Sequence, residues 1–145
     1  EVLKNATLNL PEGKMTFDVV LMDKRGVYLV RTYGWGIKIY GTPDGAMWRR
    51  EDAKRKEEFE NPLLELKKGA AEITKVMEEN GVQNLKVMPM VVFADNFQTP
   101  ELYLGYGSFS TTYQELKSWY KKQSGVKEVQ YDYDKVSSII KELLK

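Results

Sequence analysis

Two apolar segments joined by a short polar turn constrain the fold of this chain more than any other feature. Met15–Met22 and Val27–Tyr33 are rich in β-branched residues, and the turn Asp23–Gly26 between them is polar and ends in glycine. Strands of this composition on either side of a short glycine-containing turn are typical of a β-hairpin. The sequence therefore predicts two antiparallel strands at this point.

The predicted hairpin brings polar side chains of its two strands together. If it is centred on the turn, Asp18 faces Arg31 and Thr16 faces Tyr33. Residues that oppose one another in antiparallel strands lie about 5 Å apart and share a face of the sheet. We therefore expect an ion pair between Asp18 and Arg31, with Tyr33 one step further along the same face.

The remaining apolar patterns predict further strands and three helices. Besides the hairpin, the predicted strands are Val2–Leu10, Ile37–Gly41, a short strand at Trp48, Lys86–Ala94 and a brief strand at Val129–Tyr131. The predicted helices run from an N-cap at Asn61 to a glycine stop at Gly81, from a capping box at Thr112 and Glu115 to Gln123, and from an N-cap at Asp134 to the end of the chain. Arg49–Glu60, with five basic and five acidic residues, predicts a solvated loop, and a binding loop is the alternative.

This order of elements predicts the α+β class, with an α/β-like part. We expect a mixed β-sheet in which antiparallel hairpins come first and a helix then crosses over to a buried strand. The 145 residues suit a single domain over residues 1–145. The chain begins at Glu1, directly in a strand-like segment, so we expect other domains of a longer protein beside it.

Composition excludes several classes of chemistry. The chain has no cysteine and no histidine, which removes disulfides, thiolate catalysis, Ser-His triads and most zinc sites. Chemistry would have to come from carboxylates, Lys, Arg, Tyr, Ser or Thr. The net charge of +1 gives no general argument for nucleic acid or for a membrane. No apolar run approaches the roughly 18 residues of a membrane helix. We expect a cytoplasmic location, and a tether to a membrane through a segment outside this chain is the alternative.

The segment Thr16–Gly41, "TFDVVLMDKRGVYLVRTYGWGIKIYG", resembles the core of the nuclease-related domain (NERD) family. This family is a branch of the PD-(D/E)XK nucleases, which have a restriction-endonuclease-like core. "NPLLEL" at Asn61–Leu66 is similar to the Asn-Pro-x-x-Gln helix start of the family, and "VVFADN" at Val91–Asn96 to its later buried strand. The resemblance covers about residues 1–96, and the first helix of the family, which would precede residue 1, is missing.

The resemblance implies a metal-dependent nuclease site, but the site residues depart from the family pattern. In the family, an Asp and a Glu on neighbouring strands share a divalent ion, and a Lys two residues after the Glu helps to activate water. Asp18 matches the Asp, whereas Arg31 stands at the Glu, Tyr33 at the Lys and Glu65 at the Gln of the helix. A guanidinium cannot ligate a cation, and at about 4 Å it would repel a divalent ion by about 8 kcal/mol at an effective dielectric constant of 20.

We therefore expect a catalytically degenerate NERD-like domain that acts as a binding or scaffold module without a cofactor. The alternative is a nuclease that binds Mg²⁺ or Mn²⁺ at a relocated site, with Asp18 and Glu65 as ligands and Lys38 or Lys14 as the lysine.

The expected partner of the degenerate domain is a protein or a nucleic acid. Arg31, Tyr33 and Trp35, with Tyr40 and Trp48, would offer a cation beside aromatic faces on which bases stack. Such aromatic side chains more often pack a sheet and its hairpin, and Trp, Tyr and Arg are also common anchors of protein interfaces.

Overall fold

A computed structural model describes residues 1–95, 98–105, 107–116, 118 and 131–144. The elements in the described part are strands and helices of ordinary length. They are β1 (Val2–Leu10), β2 (Gly13–Asp23), β3 (Gly26–Tyr33), β4 (Lys38–Tyr40), β5 (Met47–Glu51), β6 (Lys56–Glu60), α1 (Pro62–Glu79), β7 (Val87–Phe93), β8 (Glu101–Tyr103), β9 (Ser110–Thr112) and α2 (Tyr133–Leu143). Residues 113–116 are also helical.

The strands form two sheets. The five-stranded sheet has the order β1-β2-β3-β7-β9, and the four-stranded sheet has the order β6-β5-β4-β8. Antiparallel pairs join β1 to β2 and β2 to β3, whereas β7 and β9 run parallel, as do β4 and β8. The predicted mixture of antiparallel hairpins, parallel strands and helices is therefore confirmed, and the strands are divided between two sheets.

The register of the β2–β3 hairpin agrees with the prediction. Met22 pairs with Val27, and the pairing continues in step to Val19 and Val30. The turn holds this register because the N–H of Arg25 donates to a carboxylate oxygen of Asp23 at 2.8 Å. A slip of one residue would turn the apolar side chains to the wrong face of the sheet.

The chain divides into two compact units. The first contains residues 1–30, 66–89 and 131–144 of the described chain. Its core is formed by apolar side chains of β1, β2, β3, α1 and α2, among them Leu8, Phe17, Val20, Leu29, Ile73, Met77, Val136 and Ile140. Gly69 lets α1 approach β2 closely, because a Cβ at this position would lie 2.9 Å from Cζ of Phe17.

The second unit contains residues 31–65, 90–95, 98–105, 107–116 and 118 of the described chain. It holds the whole four-stranded sheet and the first turn of α1. Its core includes Ile39, Trp48, Leu63 and Phe93, each at most 1% exposed. The expectation of a single domain over residues 1–145 stays a prediction.

The predicted loop at Arg49–Glu60 is wrong, because this segment forms most of the β5–β6 hairpin. The hairpin pairs opposite charges across its strands, Arg49 with Glu58 and Arg50 with Glu57. Such cross-strand pairs stabilise a sheet, and Phe59 opposite the buried Trp48 supplies an apolar face. Acidic and basic residues of this segment therefore oppose one another across two paired strands and do not form a solvated loop.

The helix ends agree with the sequence in part. Asn61 caps α1, and Gly81 follows it with a φ of 83°, in the left-handed region, as predicted. The N–H of Glu115 donates to Oγ1 of Thr112, which confirms half of the expected capping box. The predicted cap at Asp134 is wrong: Asp132 is the N-cap of α2 and accepts from the N–H of Lys135.

Two predicted features fall outside the described residues. They are the end of the predicted helix at Gln123 and most of the predicted strand at Val129–Tyr131. Of the predicted buried strand near Lys86–Ala94, β7 covers Val87–Phe93, and its last four residues are buried. Within the described part of the chain, no helix combines the length and the apolar character that crossing a membrane requires.

Candidate functional site

Arg31, near the end of β3, forms an ion pair with the first turn of α1. Its Nη2 lies 3.5 Å from Oε2 of Glu65. The arginine side chain is 23% exposed and the glutamate side chain is 55% exposed. An ion pair open to water contributes at most about 1 kcal/mol to stability. Its main effect is therefore on the local charge, because the guanidinium neutralises the Glu65 carboxylate.

Asn61 places Glu65, because it fixes the start of α1. Its Oδ1 accepts the N–H of Leu63 at 2.9 Å, which is the usual N-cap bond. Its Nδ2 donates to the carbonyls of Pro43 and Gly45 at 3.0 and 2.8 Å, and at 3.4 Å to that of Thr42. The side chain is buried, with 2% of the residue exposed. A single amide therefore joins the helix start to the loop between β4 and β5.

Tyr33 lies in an aromatic cluster. Its ring stacks on Phe93 with the centroids 5.3 Å apart and an angle of 16° between the planes. The ring of Phe59 is tilted against it at 4.9 Å, and Phe59 meets Trp48 edge-on at 6.2 Å. The position at which the family resemblance expects a lysine is therefore taken up by ring packing.

Trp35 is engaged by two arginines of the β5–β6 hairpin. The guanidinium carbons of Arg50 and Arg55 lie 4.0 and 4.1 Å from the centroid of its ring. Arg50 also lies over Tyr33 at 5.2 Å and forms an ion pair with Glu57 at 3.3 Å. Contacts of this kind between a guanidinium and an aromatic ring are attractive. The indole is thus already in contact with cations of the same chain.

Asp52 holds Arg55 in place. Its Oδ1 accepts the N–H groups of Lys54 and Arg55, and its Oδ2 accepts from the guanidinium of Arg55 at 2.9 Å. The hydrogen bond from the Lys54 backbone, followed by that from the Arg55 side chain, lowers the pKa of Asp52. The Asp52 carboxylate therefore stays charged, stabilises the turn of the hairpin and holds the Arg55 guanidinium in the position in which it contacts the Trp35 ring.

Arg31, Tyr33 and Glu65 line one open groove. Its volume is about 710 Å³, and its lining includes both partners of the ion pair together with apolar side chains of the second unit. Met47 and Leu64 also line it and are unusually exposed for their type, at 49% and 46%. The remaining lining residues are Ala46, Phe59, Glu60, Asn61 and Pro62. The groove thus combines a charged pair with two exposed apolar side chains.

Asp18 lies on β2 in the first unit, and the ion pair with Arg31 stays a prediction. The register between β2 and β3 runs as far as Val19 and Val30, and Asp18 and Arg31 are the next residues on their strands. What the sequence analysis missed is the pair between Arg31 and Glu65. A hairpin pattern shows only neighbours on the two strands, whereas Glu65 arrives from a helix that begins 31 residues later along the chain.

Lys38 lies on the exposed face of the four-stranded sheet. Its cross-strand neighbours are Glu51 on β5 and Glu101 on β8. Lys56 follows on the other side of Glu51, so that the row alternates between lysine and glutamate across the sheet. This is the arrangement of a solvated sheet face. Lys38 is not among the described residues that line the groove.

Lys14, the other candidate lysine, is exposed at the start of β2 in the first unit, opposite Asn9. Its backbone position in the β1–β2 pairing gives it the surroundings of an ordinary surface residue of a strand. The position of Lys14 in the first unit therefore gives no argument for a catalytic role.

The donor groups around the ion pair do not fit a divalent metal ion. Mg²⁺ needs oxygen ligands at about 2.1 Å, with one or two carboxylates among them. The Glu65 carboxylate has a guanidinium 3.5 Å away instead. The described residues contain no group of three or more Asp, Glu, His or Cys side chains that could hold a metal.

A family model described as "Nuclease-related domain" matches residues 1–94. No curated protein and no solved structure matches the chain. The match spans β1 to β7 and α1 and therefore includes every described residue that lines the groove, whereas β8 and β9 follow it.

Proposed function

The chain belongs to the nuclease-related domain family, and we propose that it acts as a non-catalytic binding module of that family. The observation that carries this proposal is the ion pair between Arg31 and Glu65. The arginine stands where the family resemblance expects a metal-ligating glutamate. Its partner is the carboxylate that a relocated metal site would need.

Electrostatics supports the same conclusion. A divalent cation near Glu65 would meet the positive charge of the Arg31 guanidinium. Such a cation would also have to displace the guanidinium from the carboxylate before it could gain a ligand. Tyr33 adds no ammonium group and is held in a ring cluster with Phe59 and Phe93. In this proposal, the ion pair of Arg31 and Glu65 and the packed ring of Tyr33 stand at the positions where a metal-dependent nuclease would need a metal ligand and a lysine.

The relocated nuclease site gains no support from the surroundings of its lysines. Lys38 belongs to the alternating row on the solvated face of the four-stranded sheet. Lys14 is exposed on a strand of the first unit. The binding module is therefore the function that the geometry supports best.

A cleavage assay tests the proposal. The protein is incubated with single-stranded and double-stranded DNA and RNA in the presence of Mg²⁺ or Mn²⁺, and Asp18→Ala serves as the matched control. We expect no cleavage by the wild type above that of the control. Metal-dependent cleavage by the wild type that disappears in Asp18→Ala would overturn the proposal, because contaminating nucleases would be the same in both preparations.

A further inference from the structure

Met47 is the most exposed of the six methionines of the chain. It is 49% exposed, whereas Met22 and Met77 are at most 1% exposed and Met90 is 9% exposed. An oxidant in solution must reach a lone pair of the sulfur before it can react. Access to the sulfur therefore favours Met47 over the three buried methionines.

The two remaining methionines are half-buried, Met15 on β2 and Met88 on β7. The sulfur of Met15 lies 3.3 Å from the place that a Cβ of residue 69 would take, so it packs against α1. The chain has no cysteine, and no thiol of this chain therefore competes with its thioethers for an oxidant.

The backbone at Met47 is fixed beside the groove. Met47 pairs with Glu60 across the β5–β6 hairpin, and the carbonyl of the preceding Ala46 accepts the N–H of Asn61 at 3.0 Å. The Met47 side chain lines the groove together with Leu64, the other large apolar side chain of the lining that is strongly exposed. A change confined to the thioether therefore alters the apolar surface of the groove and leaves the backbone in place.

We propose that Met47 is an oxidation site at which a hydroperoxide makes the groove more polar. The terminal oxygen of the peroxide is transferred to Sδ, so that an S–O bond forms as the O–O bond breaks and the sulfur loses two electrons. The proton of the transferred OH group passes to the leaving oxygen, which departs as water or as an alcohol. The product is a sulfoxide, a polar group in place of an apolar thioether. The effect on binding rests on the proposed function, because it concerns what the same non-catalytic groove binds.

Peptide mapping by mass spectrometry, during treatment of the folded protein with millimolar hydrogen peroxide, tests the order of oxidation. We expect Met47 to gain one oxygen at least about fivefold faster than each of the three buried methionines, and ahead of the two half-buried ones. In urea the order should disappear, because unfolding exposes all six side chains. The Tm of the protein oxidised at Met47 should stay within about 2 °C of that of the untreated protein, because the site is exposed.

Nile red, an uncharged dye whose fluorescence rises in apolar surroundings, probes the groove. We expect its affinity for the oxidised wild type to be about threefold or more below that for the untreated protein. Treatment of the oxidised protein with a methionine sulfoxide reductase should restore the affinity.

Three variants assign the change in dye affinity to Met47. Met47→Leu keeps an apolar side chain without sulfur, so peroxide should leave its affinity unchanged. Met47→Gln places a polar side chain of similar size at the groove, and it should lower the affinity without peroxide. Met88→Leu is the matched control, because it removes a different methionine and should respond to peroxide as the wild type does.

Four results would overturn the proposal. Another methionine of the folded protein is oxidised as fast as Met47. Peroxide leaves the affinity of the wild type for Nile red unchanged, or it lowers that of Met47→Leu by the same factor. The untreated protein does not bind the dye, so that the groove offers no apolar surface to alter. The cleavage assay uses neither peroxide nor dye, so a nuclease activity would count against the proposed function and not against the order of oxidation.

Discussion

The amide of Asn61 permits a sharp test of how the groove is built. The side chain makes three short hydrogen bonds: Oδ1 with the N–H of Leu63 at 2.9 Å, and Nδ2 with the carbonyls of Pro43 and Gly45 at 3.0 and 2.8 Å. Only the first bond belongs to the helix cap. The other two join the cap to the loop between β4 and β5, so the two roles require different atoms of one side chain.

The expected cost of truncation follows from these bonds. Asn61→Ala removes all three, and a hydrogen bond of this kind contributes about 1 kcal/mol. We therefore expect a loss of about 3 kcal/mol in the free energy of unfolding. For a chain of this length, that corresponds to a decrease in Tm of about 10 °C. Asn61 is 2% exposed, so the carbonyls of Pro43 and Gly45 would lose their donor in a position with little access to water, which adds to this loss.

Asn61→Asp separates the two roles. Aspartate is as good an N-cap as asparagine, so it keeps the bond to the N–H of Leu63. It has no donor for the carbonyls of Pro43 and Gly45, and it would place a negative charge against them. We expect Asn61→Asp to destabilise the protein by at least about 3 kcal/mol, as much as the alanine variant, since a buried charge without a partner is costly.

Urea unfolding followed by tryptophan fluorescence, to which the buried Trp48 contributes, measures both variants. Asn80→Ala is the matched control, because the Asn80 amide bonds one carbonyl at the opposite end of α1 and is exposed. We expect its effect to stay within about 0.5 kcal/mol. If Asn61→Asp also stays within that limit, the bonds to the loop do not contribute as argued, and Asn61 is only a helix cap.

Further predictions concern packing, charge and pH. Gly69→Ala brings a Cβ to 2.9 Å from Cζ of Phe17, and we expect urea titrations to show a free energy of unfolding lower by about 1 kcal/mol or more. A higher free energy of unfolding, as helix propensity alone would give, would contradict the close packing. Arg31→Glu places a second carboxylate beside Glu65, and we expect millimolar Mn²⁺ to raise the Tm of this variant, but not of the wild type, by about 3 °C or more; equal responses would refute the argument from charge. Burial raises the pKa of Tyr131 to about 12. Its neutral form therefore stabilises the fold fully below the unfolded pKa of about 10, and this contribution is lost as the pH rises towards about 12. Between about pH 10 and pH 12, the free energy of unfolding should fall more steeply in the wild type than in Tyr131→Phe.

The hairpin of β2 and β3 was predictable because its information is local. A period of two in the strands and a short turn between them leave one register that buries the apolar side chains. Asn61 as a helix cap was predictable for the same reason, since the N-cap and the proline after it are adjacent in the sequence. In these cases the interactions that decide the structure lie within a few residues of one another.

The hairpin of β5 and β6 was not predicted because the mixed charges of its sequence hide the alternation that is typical of strands. Read along the chain, Arg49–Glu60 is a mixture of both signs and resembles a solvated loop. Read across the hairpin, Arg50 opposes Glu57 and Trp48 opposes Phe59. The alternation becomes visible only once a turn is placed at Asp52, whose carboxylate accepts two backbone N–H groups. A capping aspartate between two alternating segments is the signal that could have revealed it.

The partner of Arg31 could not be derived from strand patterns. The sequence places Asp18 opposite it, and the structure adds Glu65 from the first turn of α1. The position of that turn depends on bonds between Asn61 and a loop some 16 to 19 residues earlier in the chain. Contacts that depend on such distant loops require the tertiary structure, and for this reason sequence analysis finds the residues of a site more readily than their pairing.

The groove therefore has two kinds of residue, and experiments must treat them differently. Asn61 is buried and bonded on all sides, so its loss disturbs the scaffold, and a loss of binding in its variants would say little about recognition. Arg31 and Glu65 lie in water-accessible positions and contribute little to stability. Their substitution changes the charge of the groove while the fold is retained. A change in partner selectivity in Arg31 variants with an unchanged Tm would consequently report on binding itself, and it would do so at the position where the family resemblance expects catalysis.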